Sequence, residues 1–182
     1  PGGLWRDITP EFIPMVRKFI DEFPRSIAQY RSLFDTNELF LERTKGISVI
    51  NKEDCIRWSV NGPILRAAGM AHDLRKAAPY SGYDQYDFSI PTREEGDIYA
   101  RYAVRMEEME QSLRIIDQAL DRLPGGPFRS DNRKYVPPPR SEIGVSMEAL
   151  IHHFKLWTEG FRPPAGSVYV ATESPRGELG MF

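Results

Sequence analysis

Seven apolar side chains between residues 102 and 123 recur at alternating spacings of four and three residues. They are Tyr102, Met106, Met109, Leu113, Ile116, Leu120 and Leu123. This spacing places all of them on one stripe of an α-helix, as in helices that pack against each other. A helix over residues 97–123 would be roughly 40 Å long at 1.5 Å per residue. We therefore predict a mainly α fold with a helical core around this long seam helix.

A second apolar stripe, from Phe12 to Phe34, repeats at the same helical spacing and predicts another long helix. Pro24 lies inside this stripe. Because proline removes a backbone hydrogen bond from a helix, we expect a kink or short break near residues 20–24. Near the other end of the chain, residues 168–171 alternate in the manner of a β-strand, and the turn residues 174–177 follow them. This pattern predicts a small peripheral β-hairpin.

The length of 182 residues fits one domain, and we treat residues 1–182 as a single region. Residues 124–145 include Pro137-Pro138-Pro139 and are too rich in proline to form a core element, so we predict a loop. A loop of this length is usually functional or contacts a partner. The chain begins without methionine and ends within a predicted strand, which indicates a fragment of a longer chain.

Composition excludes several classes of function. The chain has 24 Lys and Arg against 26 Asp and Glu, so it lacks the basic surplus of a nucleic-acid-binding protein. Its single cysteine, Cys55, cannot form an internal disulfide and is predicted to be a buried, inert thiol. Runs of apolar residues are too short to span a bilayer. We therefore expect no binding of nucleic acid, and membrane contact only through partner subunits.

The residues that could carry chemistry do not form a self-contained active site. His152 and His153 are adjacent on a predicted helix and project roughly 100° apart, which is a poor geometry for sharing a metal. The carboxylates Glu107, Glu108 and Glu110 are most simply the solvated face opposite the apolar stripe. We predict no catalytic residue and no metal bound by this chain alone.

Two arginines lie among small or rigid residues. Arg66 is flanked by Gly62-Pro63 and by Ala67-Ala68-Gly69, which indicates either a tight packing corner or an arginine directed at a specific group. Arg176 is held between Pro175 and Gly177, which indicates either an ordinary surface turn or a guanidinium presented to an anion or a carbonyl. The residues alone leave both alternatives open.

Several ordered stretches of the chain jointly resemble a known family. They are Pro1-Gly2-Gly3, Phe40-Leu41-Glu42-Arg43-Thr44-Lys45-Gly46, residues 62–69, Asp73-Leu74-Arg75, residues 99–108, residues 147–155 and Glu173-Ser174-Pro175-Arg176-Gly177-Glu178-Leu179-Gly180. Together they resemble the central part of the D subunit of NADH:quinone oxidoreductase, respiratory complex I. This family is related to the large subunit of [NiFe] hydrogenases. The resemblance therefore implies a mainly helical fold with peripheral β-structure.

The resemblance also implies a function within a larger assembly. The subunit would line the path from a terminal [4Fe-4S] cluster, carried by a partner subunit, to quinone, and so couple electron transfer to proton translocation. The complex uses NADH, FMN, iron–sulfur clusters and quinone, while this chain alone would bind no cofactor. It would lie peripherally on the cytoplasmic side of the cell membrane. The piece of chain alone is not expected to be active.

Three residues are implied to lie near the quinone cavity or the cluster, namely Trp5, Arg66 and Arg176. Arg176 lies in the turn whose counterpart in hydrogenases brings an arginine to the metal centre. Trp5 occupies a position where many members of the family have a histidine that neighbours the terminal cluster. The tyrosine and histidine that hold the quinone headgroup in the family precede the position of Pro1.

Two alternatives remain open at this stage. One is the large subunit of a membrane-bound [NiFe] hydrogenase-type complex, which would need cysteine pairs, whereas this stretch contains only Cys55. The other is a non-catalytic helical assembly module, in which the helices and the proline-rich segment only bind partners.

Overall fold

A computed structural model describes residues 2–182, so Pro1 of the first matching stretch lies outside the described residues. The helices are α1 (Phe12–Phe34), α2 (Glu38–Glu42), α3 (Lys52–Arg57), α4 (Gly62–Ala67), α5 (Leu74–Ala77), α6 (Ile98–Asp121), α7 (Arg140–Ile143) and α8 (Met147–Phe154). A single 3₁₀ turn covers Tyr83–Gln85, and a π turn, Lys155–Glu159, continues α8. The strands are β1 (Val170–Ser174) and β2 (Gly177–Met181). The predicted mainly α fold with a small hairpin is confirmed.

The predicted long seam helix is α6, and its start is fixed by Asp97. The Asp97 carboxylate accepts hydrogen bonds from the backbone N–H of Ala100, at 2.6 Å, and of Gly46, at 2.8 Å. It therefore caps the helix and ties the loop that follows α2 to it, and these hydrogen bonds satisfy the buried carboxylate.

The apolar stripe of α6 packs against another helix, α1. Met106 and Leu113 form a buried cluster with Ile27 of α1, and Tyr102 and Met109 pack at its edge. Exposed ion pairs lie beside this seam, including Arg17 to Asp117 and Arg31 to Glu110. Since exposed pairs contribute little to stability, the apolar contacts hold the two helices together.

Of the expected kink or short break near Pro24, the break is wrong, because α1 is one continuous helix from Phe12 to Phe34, and the kink stays a prediction. Proline in a helix interior costs about 3 kcal/mol. The apolar stripe contacts α6 on both sides of Pro24, through Ile20 and Phe23 before it and Ile27 after it. Burial of this stripe offsets the lost hydrogen bond, and the spacing of apolar residues by itself does not reveal that contribution.

A second apolar cluster surrounds the single cysteine. Cys55 of α3 is fully buried against Leu65 and Ala68, and burial raises the pKa of its thiol. The prediction that Cys55 is buried is confirmed. Next to this cluster, Ala67 of α4 packs on Ala100 and Val104 of α6, so small side chains bring these two helices close together.

The chain forms two compact units. The first contains residues 2–12 and 124–167, and the second contains residues 13–123 and 168–182. In the first unit, Gly3 pairs with Arg129 in an isolated antiparallel bridge, and the proline-rich segment includes the single turn of α7. In the second unit, β1 and β2 pair from Val170 with Met181 to Ser174 with Gly177.

Candidate functional site

A cavity of about 940 Å³ lies in the second unit, between α4, α6 and the β-hairpin. Two of the three predicted site residues, Arg66 and Arg176, line it together. Apolar side chains form much of the remaining wall, namely Phe40, Ile64, Ile98, Met106 and Met109. We call this space the arginine cavity.

Arg66 lies on α4 with its side chain only 2% exposed. Its Nε donates a hydrogen bond to Oε1 of Glu108 at 2.6 Å, and its Nη1 donates to the backbone carbonyl of His72 at 2.8 Å. Its Nη2 lies 3.0 Å from Oε1 of Glu173 on β1. The two alternatives for Arg66 are therefore both realised, because small residues allow close packing and the guanidinium is directed at specific carboxylates.

Two glycines bring the hairpin turn against α4. Gly62 has a φ of 68°, and a Cβ added there would overlap the backbone of Gly177. Gly177 has a φ of 133°, and a Cβ added there would overlap the side chain of Asn61. The Asn61 Oδ1 accepts a hydrogen bond from the backbone N–H of Glu178 at 2.9 Å. This close approach positions the neighbouring Arg176 at the mouth of the arginine cavity.

Arg176 lies in the turn between β1 and β2 and is exposed. Its backbone N–H donates to Oγ of Ser174 at 3.3 Å, which restrains the turn. Arg176 is also one of the residues that line the arginine cavity. Arg176 is thus a surface-turn residue and a cavity residue at once.

The prediction that Glu108 belongs to a solvated face is wrong. Its side chain is 15% exposed and is bonded to Arg66. Burial raises the pKa of Glu108 above its usual range, although the charge of Arg66 opposes this. Glu107 and Glu110 are paired instead with Arg93 and Arg31 nearer the surface.

A signal for the burial of Glu108 is present in the sequence. Ala100, Val104 and Glu108 recur at a spacing of four residues, and the two apolar members are buried against α4. Residues four apart share a helix face, so Glu108 continues this second buried face of α6. The face is easily missed, because its side chains are smaller than those of the neighbouring apolar stripe.

A second buried ion pair adjoins this group. Asp73 is 2% exposed and caps α5, and Arg75 donates to it from Nη2 at 2.6 Å. Burial acts to raise the pKa of Asp73, but the hydrogen bonds and charge of Arg75 outweigh it and hold the pKa below its usual range. The Glu173 Oε2 accepts from the backbone N–H of Leu74 at 3.2 Å, which connects the hairpin to α5.

Trp5, the third predicted site residue, lies in the first unit and is 79% exposed. It lines a different cavity, of about 980 Å³. Other walls of that cavity come from the triple proline, Ile143, His153 and Trp157. The structure thus brings Arg66 and Arg176 to one cavity and places Trp5 at another.

Neither a metal centre nor a membrane span is found within residues 2–182. No group of three or more His, Cys, Asp or Glu side chains there is arranged to hold a metal ion. No helix in the same stretch combines the length and apolar character needed to cross a membrane.

The protein is mainly helical, and Arg66, Glu108 and Glu173 lie together on the wall of one cavity. Its whole sequence, residues 1–182, matches the model of a protein family described as respiratory-chain NADH dehydrogenase, 49 Kd subunit. The chain belongs to this family, which confirms the resemblance seen in the sequence.

Individual relatives agree with this assignment. The chain is 51% identical to the D 1 subunit of the NADH-quinone oxidoreductase of Herpetosiphon aurantiacus, covering all of this chain and 44% of the relative. It is 52% identical to the D 2 subunit of the Chloroflexus aurantiacus enzyme, covering all of this chain and 45% of the relative. It is 49% identical to the D subunit of the Thermus thermophilus enzyme, again over the whole chain and 44% of the relative. The chain therefore spans less than half the length of these relatives.

Proposed function

We propose that this chain is part of the D subunit of an NADH:quinone oxidoreductase and that its arginine cavity borders the path from a partner's terminal iron–sulfur cluster to quinone. In this assignment, electron transfer along the path is coupled to proton translocation. Family membership and the names of the relatives support the assembly. The proposed location of the site rests on one observation, that Arg66 and Arg176 line the same cavity.

The lining of the arginine cavity suits an acceptor that gains negative charge. Apolar side chains of the wall, including Ile64 and Met109, suit the apolar faces of a quinone ring. The exposed guanidinium of Arg176 can donate to a carbonyl oxygen and stabilise charge that develops on it. Arg66 is already neutralised by Glu108 and Glu173, so we assign it a positioning role in the cavity wall.

The remaining cofactors belong to other subunits in this proposal. The chain has one cysteine, Cys55, and it is buried among apolar residues of α3 and α4, so it cannot supply the several thiolates of an iron–sulfur cluster. We therefore place NADH, FMN and the clusters on partner subunits. We also propose a peripheral position on the cytoplasmic side of the membrane, with membrane contact through those partners.

The substitution Arg176→Ala tests the proposed site. It removes the exposed charge from the arginine cavity without touching the apolar core. We expect NADH:quinone reductase activity of the assembled enzyme to fall by about tenfold, equivalent to a loss of about 1.4 kcal/mol of stabilisation. The amount of assembled complex should stay the same, as measured by native electrophoresis of solubilised membranes.

Two further variants make the test specific. Arg176→Lys keeps the charge and should recover part of the activity. Arg57→Ala removes an exposed arginine from α3, away from the cavity, and should leave activity unchanged. Unchanged activity in Arg176→Ala would contradict the proposed site and favour a module that only binds partners.

We extend the proposal to Trp5 as a residue close to the terminal cluster of the partner subunit. Its exposure leaves its indole free to meet a neighbouring protein. An imidazole at this position would titrate between about pH 5 and 8, which an indole does not. Trp5→His should therefore make the reduction potential of that cluster more dependent on pH, as measured by redox titration.

Trp58 offers a matched control for this experiment. It is 75% exposed but lies after α3 in the second unit. Trp58→His should leave the pH dependence of the potential as it is in the wild type. The same response in both variants, or in neither, would remove Trp5 from the proposed site.

A further inference from the structure

Five charged side chains gather in and behind the wall of the arginine cavity, and most of them are deeply buried. They are Arg66, Asp73, Arg75, Glu108 and Glu173. Their side chains range from 2% to 17% exposed. This group, which we call the buried ion cluster, has one more carboxylate than it has guanidinium groups. A buried negative charge without a positive partner is energetically costly. Protonation of one of the carboxylates removes that charge.

Two of the three carboxylates accept hydrogen bonds from backbone N–H groups. Asp73 accepts hydrogen bonds from the backbone N–H and from the guanidinium of Arg75, at distances between 2.6 and 3.2 Å. Glu173 accepts from the backbone N–H of Leu74 and lies 3.0 Å from the guanidinium of Arg66. For Asp73, the hydrogen bonds and the charge of Arg75 hold the pKa below its usual range.

Glu108 differs from these two. It is the most exposed carboxylate of the three, and it borders the arginine cavity together with the less exposed Glu173. Its hydrogen bond from Arg66 uses Oε1, and Glu173 places a second negative charge on the same guanidinium. Burial raises the pKa of Glu108, and the charge of Glu173 adds to this effect. Glu108 is thus the member best placed to exchange a proton.

Other charged and titratable side chains also border the space that Glu108 faces. They are Arg101, Tyr102 and Arg105 of α6, Arg75 of α5 and Arg176 of the hairpin turn. The positive charges among them stabilise the ionised form of Glu108. A negative charge entering the cavity would pair with them and weaken that effect, so it would raise the proton affinity of Glu108.

We propose that Glu108 is a proton-exchanging group of the arginine cavity, which takes up a proton when the cavity gains negative charge and releases it when the charge leaves. The proton comes from solvent and binds a carboxylate oxygen of Glu108, giving a neutral carboxylic acid. No bond to the acceptor forms or breaks in this step. The source of the negative charge rests on the proposed function, because it is the electron delivered from the partner's cluster to quinone.

Infrared spectroscopy of the purified assembled enzyme tests the proton site directly. The C=O stretching band of a protonated carboxyl group should appear as the pH is lowered, above the range in which exposed glutamates titrate. Glu108→Gln should abolish this band. Glu110→Gln, two residues away on the same helix and in an exposed pair with Arg31, should retain it. Persistence of the band in Glu108→Gln would overturn the proposal.

A conservative variant covers the case in which Glu108→Gln does not assemble. Glu108→Asp keeps the carboxyl group but withdraws it from Arg66 by one methylene, so the midpoint of the band should shift. An unchanged midpoint would show that the titrating group is elsewhere and would contradict the proposal.

Coupling to charge is tested by repeating the titration with the enzyme reduced by NADH. The midpoint of the Glu108 band should move to higher pH than in the oxidised enzyme, and Glu110→Gln should show the same movement. An identical midpoint in both redox states would overturn the coupling. The proposed function itself is tested separately, by the quinone reductase activity of Arg176→Ala. The two proposals can therefore fail independently.

Discussion

At the scale of single residues, burial separates groups of the same chemical type. Arg66 is enclosed by carboxylates and shapes the cavity wall, whereas Arg176 is exposed at the cavity mouth and keeps its charge available. Glu108 and Glu110 are two residues apart, but only Glu108 enters the buried ion cluster. A residue's position on its helix, not its type alone, therefore decides its role in this site.

Tyr102 gives a pH-dependent test at this scale. Burial, together with a hydrogen bond from its hydroxyl to Asp35 at 3.0 Å, raises the pKa of Tyr102 to about 12. A raised pKa in the folded state stabilises the protein below the unfolded value near 10, and this stabilisation is lost as the pH rises toward 12. Tyr102→Phe should cost about 1–2 kcal/mol at neutral pH and lose less stability in alkali than the wild type.

Urea unfolding at pH 8, 10 and 11 measures this difference. Tyr30→Phe, on the exposed side of α1, serves as the control and should follow the wild type at each pH. Parallel pH curves for Tyr102→Phe and the wild type would show that the Tyr102 hydroxyl does not contribute in this way.

At the scale of elements, α6 organises the second unit through two faces. Its broad apolar stripe packs on α1, and its face of small residues packs on α4 and continues into Glu108. The hairpin then docks against α4 at Gly62 and Gly177. These contacts place Arg66, Glu108 and Arg176 around one cavity although they come from three different elements.

Gly62→Ala tests the docking of the hairpin. An added methyl group would overlap the backbone of Gly177, and alanine is strained at a φ of 68°. We expect the free energy of unfolding to fall by about 1–3 kcal/mol and quinone reductase activity to fall with it. Denaturant unfolding and the activity assay measure the two effects.

Gly144→Ala is the matched control for this substitution. No atom lies within 4 Å of a Cβ built at Gly144, so the variant should behave as the wild type does. A Gly62→Ala protein with wild-type stability would show that the close contact between α4 and the hairpin is not required.

At the scale of the whole molecule, local sequence patterns predicted the helices and strands better than they predicted the contacts between them. The spacing of apolar residues predicted α6 and the extent of α1, and the proline–glycine turn predicted the hairpin. A break at Pro24 was wrongly expected because tertiary packing of α1 is not visible in a local pattern. The buried ion cluster was missed because Glu108 and Glu173 are 65 positions apart in the sequence and meet only through Arg66.

The family assignment came from motifs spread over the chain and is confirmed over residues 1–182. The relatives named above are subunits of NADH-quinone oxidoreductases, in agreement with this assignment.

The measurement that tests this account most directly compares two electron acceptors in the assembled enzyme carrying Arg176→Ala. NADH oxidation is followed with quinone and, separately, with a soluble artificial acceptor that takes electrons before the quinone path. We expect the rate with quinone to fall by about tenfold and the rate with the artificial acceptor to stay unchanged. Equal loss with both acceptors, or loss with neither, would contradict a place for the arginine cavity on the path to quinone.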